Sequence, residues 1–342
     1  MKNRNDSSFF LCVLCVLCVL CGISCDDDAG STQSQNLNSP PVKWTLQLNW
    51  VPEPQFGGFY EAERIGAYTR HDLHIEIVPG GAGTPTVQMI GANSAQFGVV
   101  SADEIVIARS RGNDVVALFA VYQTNPQGIM THAARNFADV GDVFKNPGTL
   151  AMQRGLPYAD FLIKKYGTAP NLRIVPSPGG SISAFLADPN FSQQCFVTSE
   201  PILARQQGAN PKTFLVADAG YNPYTTVLAV SGSMYRAAPD KCRRMALAVR
   251  EGWASYLRDP GPMNERLHAL NKTMDPRTIL ESAAAQKPLI EGEETKQKGL
   301  GAMTKERWAT LIQQLVDLKV IDKAPSPEEC YVELPPVTTE AR

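Results

Sequence analysis

The sequence predicts an α/β fold of two lobes with a cleft between them, and three observations support this fold class. From residue 42 onward, segments with strand-like alternation are followed by segments with helical periodicity, which favours a parallel-rich sheet with helices on both faces. Two turn-rich polar segments, 122–128 and 218–224, each lie between strand-like runs and are predicted to form a matched hinge. The last third of the chain is mostly amphipathic helix. Alternatively, the two turn-rich segments are ordinary surface loops.

Local signals define the first elements. Alternating apolar and polar residues predict a strand at 44–50, and a short helix over 58–66 is closed by a glycine. Thr84 followed by a proline predicts an N-cap and the first residue of a helix. Ser101 and Glu104 have the spacing of a capping box, which predicts another helix start. The other strands predicted in this part lie at 73–78, 96–100 and 115–121.

The alternation continues to residue 230, after which helices dominate. Its βαβα order is typical of a parallel sheet whose crossover connections are helices. The strands predicted here lie at 128–132, 149–152, 172–175, 196–198, 213–216 and 226–230. The predicted helices are 158–166, 182–187, 202–207, 240–257, 267–270, 279–284 and 304–320.

Composition narrows the class of partner. The chain has 342 residues, of which 44% are hydrophobic and 19% are charged, as in ordinary globular proteins, and its length suggests two lobes. Lys and Arg number 32 against 34 Asp and Glu, and the net charge is −2. Because this balance gives no broad basic field to neutralise phosphates, we expect no nucleic-acid partner.

The N-terminal segment is predicted to be a secretory signal. Two basic residues precede an apolar run over 9–24, which is shorter than the roughly 20 residues of a membrane span, although a span is the alternative. Residues 22–25 resemble a bacterial lipoprotein cleavage site, which implies a signal peptide over 1–25 and a lipid on Cys25 that anchors the chain to the membrane. Gly22 stands where that site usually has leucine, so a soluble secreted protein is the other alternative. Residues 26–42 are expected to be a flexible tether, and 336–342 a tail.

Three cysteines lie outside this segment: Cys195, Cys242 and Cys330. They are far apart and have no histidine at ligand spacing, so no metal site is predicted. Export into an oxidising compartment permits one disulfide. We favour Cys242 with Cys330 because both are expected in the same lobe; the alternative is three buried thiols.

Residues 48–62, with the sequence LNWVPEPQFGGFYEA, resemble the opening of one binding-protein superfamily. It contains the periplasmic binding proteins of ABC importers for thiamine pyrimidine precursors, riboflavin, nitrate, sulfonates and taurine. Residues 65–68, 73–77, 96–98 and 198–200 also fit its pattern, and the resemblance spans about 43–260.

The resemblance implies a type II periplasmic-binding-protein fold, in which a two-strand hinge joins two lobes around a ligand cleft. On this interpretation lobe 1 is 43–122 plus 226–335, and lobe 2 is 123–225. The chain is then expected to be a periplasmic or extracytoplasmic monomer that binds a small molecule and delivers it to an ABC permease.

The same superfamily contains yeast-type pyrimidine synthases, which use a bound pyridoxal phosphate and a histidine of their own chain. Alignment of the family's glycines puts Val100 at the position of the pyridoxal-binding lysine and Glu104 at that of the histidine. The cysteine-rich iron motif of the synthases is replaced here by residues 221–225. With these groups missing, the resemblance implies no catalysis and no cofactor.

Candidate ligand-binding residues are aromatic or polar side chains at strand ends, helix starts and hinge turns, where ligands of α/β proteins lie. The aromatic residues favour a flat ligand, because stacking stabilises a heteroaromatic ring. The resemblance makes Glu200 the acceptor for an aminopyrimidine edge; alternatively, it is a solvated charge near a helix start. The predicted set is Asn49, Trp50, Phe56, Gly57, Tyr60, Ser101, Tyr122, Tyr158, Glu200 and Tyr224.

The predicted ligand is therefore a small flat heterocycle such as a thiamine pyrimidine precursor or riboflavin. A sulfonate, taurine or nitrate is the alternative, which Arg154 keeps open because it could meet an anion. Glycine-rich loops at 80–84 and 179–181 could offer backbone amides to a ligand, or they are tight turns. A synthase-like enzyme and a sensory lipoprotein without a transporter are the other functional alternatives.

Overall fold

The computed structural model describes residues 43–333. The predicted signal peptide over 1–25, the acylation of Cys25, the tether over 26–42 and the tail over 336–342 lie outside the described residues. None of the helices within 43–333 combines the length and the apolar character that a membrane span requires.

Within residues 43–333, ten strands form two five-stranded sheets. The strands are β1 (Lys43–Gln47), β2 (His74–Val78), β3 (Phe97–Val100), β4 (Val115–Tyr122), β5 (Gln127–His132), β6 (Gly148–Ala151), β7 (Leu172–Val175), β8 (Phe191–Phe196), β9 (Pro211–Leu215) and β10 (Thr225–Ser231). The first sheet has the order β2-β1-β3-β10-β4 and the second the order β7-β6-β8-β5-β9.

The two sheets share one pattern. In each, three neighbouring strands are parallel, a fourth is antiparallel to them, and the fifth is antiparallel to the fourth. The chain crosses to the second sheet between β4 and β5 and returns between β9 and β10. The α/β fold of two lobes expected from the alternation of strand and helix signals is therefore confirmed.

The helices lie mainly in the crossover connections and in the C-terminal third. They are α1 (Gly57–Arg64), α2 (Ala67–Arg70), α3 (Thr86–Gly91), α4 (Ala102–Ser110), α5 (Val140–Lys145), α6 (Pro157–Tyr166), α7 (Ser183–Ala187), α8 (Glu200–Gln206), α9 (Gly232–Ala237), α10 (Pro239–Arg258), α11 (Gly261–Leu270), α12 (Pro276–Ile290), α13 (Glu293–Lys298), α14 (Lys305–Asp317) and α15 (Pro327–Cys330). The capping box expected before α4 is present, since the amide of Ser101 donates to the carboxylate of Glu104 at 2.8 Å.

The two crossing segments lie side by side. The amide of Asn125 donates to Oδ1 of Asn222 at 2.8 Å, and Nδ2 of Asn125 donates to the carbonyl of Pro223 at 3.3 Å. Side-chain amides thus join the two connections, as expected for a two-strand hinge. The exact lobe boundaries stay a prediction; strands of the first sheet lie at 43–122 and 225–231, and those of the second at 127–215.

Two local predictions were wrong. The strand expected at 196–198 is Phe191–Phe196, because its sequence contains buried polar residues that hide the apolar alternation; Ser192, for example, donates to the hydroxyl of Thr131 at 3.1 Å. Thr84 is not the N-cap of α3. Its hydroxyl accepts from the amide of Gly81 at 2.8 Å, and the helix begins at Thr86.

The disulfide proposed between Cys242 and Cys330 is also wrong, since both thiols are free, as is that of Cys195. Cys242 lies on α10 in the core of the first sheet, whereas Cys330 packs in a separate hydrophobic cluster with α14. Burial raises the pKa of Cys242 to about 11 and that of Cys330 to about 12. The three residues are buried thiols, which is the alternative weighed from the sequence.

Candidate functional site

A cavity of about 1140 Å³ lies between the two sheets, where their parallel strands end. The loops after β1 and β2 form its first wall, the segments after β6, β7 and β8 form its second, and residues 271–278 between α11 and α12 form its third. Ligands of open α/β sheets bind outside the carboxyl ends of parallel strands, so this cavity is the candidate ligand site. Its polar wall residues include Asn49, Trp50, Glu53, Gln153, Gln194 and Glu200.

Two carboxylates face the cavity from different walls. Glu53, after β1, accepts hydrogen bonds from Nε1 of Trp50 at 3.2 Å and from Nε2 of Gln55 at 3.4 Å. Glu200 begins α8, and its Oε2 accepts from the amide of Phe196 at 2.9 Å. These bonds orient both carboxylates within the cavity wall.

Burial raises the pKa of both carboxyl groups to about 7. For Glu53 the negative charge of Glu200 raises the pKa further, which shows that the two groups interact, while the bonds from Trp50 and Gln55 lower it. For Glu200 the backbone amide bonds lower the pKa without cancelling the effect of burial. Both carboxyl groups therefore hold their protons to a higher pH than an exposed glutamate does.

The charged residues of the cavity wall are mostly acidic. They are Glu53, Glu200, Asp275 and Arg154. Asp275 caps its own helix, since it accepts from the amides of Arg277 and Thr278 at 3.0 Å each. The hydroxyl of Thr278 also donates to Asp275 at 2.5 Å, and this bond lowers the pKa of Asp275 the most. Arg154 is exposed, and within residues 43–333 neither Glu53 nor Glu200 forms an ion pair. The cavity therefore favours donors and cations over anions.

The structure brings three of the predicted ligand residues to the cavity: Asn49, Trp50 and Glu200. Arg154 lines it as well, and so do Gly179 and Gly180 from the second glycine-rich loop. From the first such loop, Gly83 lines it. These residues follow strand ends, which is the signal from which they were predicted.

The other predicted residues lie outside this wall, and most are core or hinge residues. Phe56 and Tyr60 are buried in the core of the first sheet, and a Cβ at Gly57 would lie 2.2 Å from the ring of Tyr256. Ser101 forms the capping box of α4 with Glu104.

The other three tyrosines predicted to bind the ligand form hydrogen bonds with other side chains or with the backbone. The hydroxyl of Tyr122 donates to Oε1 of Gln286 at 2.8 Å, and that of Tyr224 accepts from the amide of Thr304 at 3.1 Å. The hydroxyl of Tyr158 donates at 2.5 Å to Gln194, which does line the cavity. Tyr158 thus lies directly behind the second wall.

Sequence reasoning missed Glu53, Gln194 and the third wall. Glu53 could have been found, because it follows Trp50 by three residues in the same strand-end segment. The third wall gave no local signal. Its position depends on tertiary packing, in which Nδ2 of Asn271 donates to the carbonyl of Pro52 at 3.0 Å.

No cofactor or metal site is evident at the positions where the synthases hold theirs. Val100 has no amine and is 1% exposed at the end of β3, and Glu104 belongs to the capping box. Within 43–333 no group of His, Cys, Asp and Glu side chains is arranged to hold a metal ion. The residues present do not fit pyridoxal phosphate or iron.

Similar proteins include a riboflavin-binding protein, RibY of Chloroflexus aurantiacus, which is 21% identical over 300 residues, or 82% of each chain. A second relative is the 4-amino-5-hydroxymethyl-2-methylpyrimidine phosphate synthase of Legionella pneumophila, which is 24% identical over 94 residues, covering 28% of this chain and 30% of the synthase.

Among solved structures, the periplasmic aliphatic sulphonate binding protein SsuA from Escherichia coli superposes with a TM-score of 0.66 at 14% identity, over 89% of this chain and 95% of SsuA. At that identity the likeness shows the fold, which is the two-lobed periplasmic-binding-protein fold expected from the sequence. The model of the NMT1/THI5-like family matches residues 53–262, more than half of the chain, and so this chain belongs to the NMT1/THI5-like family.

Proposed function

We propose that this chain is the extracytoplasmic solute-binding lipoprotein of an ABC importer and that it binds a small flat heterocycle such as riboflavin or a thiamine pyrimidine precursor. One observation carries the proposal. The cavity between the two sheets is lined by an aromatic ring, that of Trp50, and by two half-buried carboxylates, Glu53 and Glu200. Such a site suits a ligand with a π-face and N–H groups on its edge.

The physical basis is complementarity of charge and shape. A carboxylate accepts charge-assisted hydrogen bonds from ring or exocyclic N–H groups, which are roughly twice as strong as neutral ones. Stacking on Trp50 adds about 0.5–1.5 kcal/mol beyond burial. A sulfonate or nitrate would instead be repelled by negative charge on Glu53 and Glu200. Of the charged residues in the cavity wall, Arg154 alone would attract such an anion.

Cavity size favours the larger candidate. Ligand pockets commonly measure about 300–1,000 Å³, and this cavity of about 1140 Å³ exceeds what one pyrimidine ring would fill. The three-ring system of riboflavin would bury more of the wall, and the riboflavin-binding relative is consistent with it. We therefore rank riboflavin before the single-ring precursor.

The enzymatic alternative rests on the similarity to the pyrimidine synthase over 94 residues. We propose that this chain is not an enzyme, because Val100 and Glu104 occupy the places of the reactive lysine and histidine. None of the histidines at 71, 74, 132 and 268 lines the cavity. Among the residues that the structure describes, the cavity wall therefore offers neither a Schiff-base amine nor an imidazole.

Location and partners belong to the same proposal. The N-terminal segment supports export, and the cleavage-site resemblance supports a lipid on Cys25 that holds the protein on the outer face of the membrane, beside an ABC permease. A Cys25→Ser variant should then leave the membrane fraction for the soluble extracytoplasmic fraction. Retention of the variant in the membrane would contradict lipid anchoring.

The ligand class is tested by native mass spectrometry of the processed protein and by calorimetric titration with four probes: riboflavin, 4-amino-5-hydroxymethyl-2-methylpyrimidine, taurine and nitrate. We expect binding of riboflavin or of the pyrimidine and no binding of taurine or nitrate. Binding of taurine or nitrate alone would overturn the ligand class, and recovery of a chemically altered probe after incubation would overturn the assignment as a binding protein.

A further inference from the structure

Gln194 lies on β8 and lines the cavity from the second sheet. Its side-chain oxygen is held twice: the amide of Gln153 donates to Oε1 at 2.5 Å, and the hydroxyl of Tyr158 donates to the same atom at 2.5 Å. Tyr158 is itself buried, with 6% of its surface exposed. The amide side chain is therefore held by the backbone of one wall residue, Gln153, and by the hydroxyl of Tyr158 behind the wall.

The chemistry of these partners fixes which end of the amide faces the cavity. A backbone amide can only donate, so the atom of Gln194 that meets Gln153 must be the carbonyl oxygen. Both donors converge on that oxygen, which leaves the NH₂ group on the other branch. Among residues 43–333, Nε2 of Gln194 has no hydrogen-bond partner.

A donor and an acceptor thus lie near each other on the second wall. Gln194 and Phe196 are two residues apart on β8, so their side chains share one face of the strand and their Cα atoms are about 7 Å apart. The carboxylate of Glu200 is bound to the amide of Phe196 at 2.9 Å. Gln194 and Glu200 both line the cavity, so the NH₂ group of the first and the carboxylate of the second are available to one ligand.

We propose that Nε2 of Gln194 is a ligand-binding donor, positioned by Tyr158 and Gln153, and that the ligand must present a ring carbonyl or ring nitrogen to it. The inference rests on the proposed function and narrows the ligand class. The ligand carries an acceptor beside its N–H groups, as a heterocycle with an N–H next to a carbonyl or an amino group next to a ring nitrogen does. A ligand without the acceptor would leave a desolvated donor unpaired, and such sites reject it strongly.

Two substitutions at Gln194 test this with the riboflavin and pyrimidine probes. Gln194→Met removes the donor while keeping the length of the side chain, and we expect affinity to fall at least tenfold. Gln194→Glu keeps an oxygen for Tyr158 and Gln153 but turns an acceptor toward the ligand, so we expect a larger loss than with Met. Thermal melts of both variants confirm that they are folded. Affinity of either folded variant within twofold of the parent overturns the inference.

Tyr158 is a positioning residue in this account, and its test is a double-mutant cycle. Tyr158→Phe frees the amide to rotate, and we expect a three- to fivefold loss of affinity that disappears in the Gln194→Met background. An equal loss in both backgrounds would mean that Tyr158 acts through general packing, and its positioning role would be wrong. Tyr166→Phe and Gln88→Met, at positions outside the cavity wall, are the matched controls and should bind as the parent does.

These binding measurements distinguish a wrong role for Gln194 from a wrong ligand class. If the parent binds a probe and Glu200→Ala loses it while Gln194→Met does not, the proposed function stands and the role of Gln194 is wrong. If the parent binds neither riboflavin nor the pyrimidine, the proposed ligand class fails, and the inference fails with it.

Discussion

The two halves of the segment 48–62 are continuous in sequence but serve different purposes in the structure. In the first half, Asn49, Trp50 and Glu53 follow β1 and line the cavity. In the second half, α1 is packed against α10, where a Cβ at Gly58 would lie 2.2 Å from the ring of Trp253 and Tyr60 is 3% exposed. One half presents polar groups to the cavity, and the other forms a tight helix contact.

This difference shows how a single sequence pattern can carry both a site and its support. Asn49, Trp50 and Glu53 are only partly buried, so changing them should alter binding more than folding. Glycines in the helix contact let two helices approach closely, so changing them alters folding. Substitutions before Phe56 should therefore mainly change ligand affinity, and substitutions after it should mainly change stability, because the loop ends and the helix begins there.

The largest effect is expected at Gly58. In Gly58→Val the new Cβ would enter the indole ring of Trp253, which is fully buried and has no space to move. We expect the free energy of unfolding to fall by about 3 kcal/mol, the upper range for overpacking a core, with ligand affinity of the folded fraction unchanged. Urea unfolding measures the first quantity and calorimetric titration the second.

Gly91→Ala is the matched control for Gly58→Val. Gly91 ends α3, and a Cβ there would meet nothing within 4 Å. We expect a stability equal to that of the parent or up to about 1 kcal/mol higher, because alanine restricts the unfolded chain. Equal destabilisation by the two substitutions would contradict a specific contact between α1 and α10.

The next effect is expected in the cavity, at Glu200. Glu200→Ala removes the carboxylate that we assign to the ligand's N–H edge, and affinity for an amino or imide heterocycle should fall at least tenfold, or about 1.4 kcal/mol. Stability should not fall with it, since the charged group is held in a wall that raises its pKa to about 7. Calorimetric titration beside a urea melt separates the two quantities, and unchanged affinity would remove Glu200 from the site.

The same division explains what could be predicted from the sequence. The strand and helix alternation, the hinge and the strand-end residues Trp50 and Glu200 were predictable, because each depends on local pattern and on the rule that strand ends form sites. The burial of Tyr60 and Tyr224 was not, since an aromatic residue near a strand end packs inward or outward according to helices far away in sequence. Tyr224, for instance, is bound by Thr304 at the start of α14.

A smaller effect, about 1 kcal/mol after allowance for solvent screening, is expected in the pH dependence of stability. The carboxyl of Glu200 has a pKa of about 7 in the folded protein against 4.5 in the unfolded chain. Between these values the folded state holds a proton that the unfolded state has lost, so the stability contributed by this group is complete below pH 4.5 and is lost as the pH rises through 7.

Glu200→Gln should remove that contribution, and because it removes a neighbouring charge it should also lower the pKa of Glu53. The difference in unfolding free energy between pH 5 and pH 8 should therefore be smaller in the variant than in the parent. Glu76→Gln, which changes an exposed residue paired with Lys43, is the control and should keep the parent's difference. An identical pH dependence in parent and Glu200→Gln would contradict the raised pKa.

The smallest effect is expected for the single substitution Trp50→Phe, because the ring and the N–H group of Trp50 have separate roles. Trp50→Phe keeps a ring for stacking but removes the hydrogen bond to Glu53, so we expect a loss of about 0.5–1 kcal/mol, a two- to fivefold lower affinity. Trp50→Ala removes the ring as well and should weaken binding further, by about the free energy of stacking. If calorimetric titration gives equal affinities for the phenylalanine and alanine variants, the ring does not stack on the ligand, and the contribution of this half of the segment to the site is carried by Glu53.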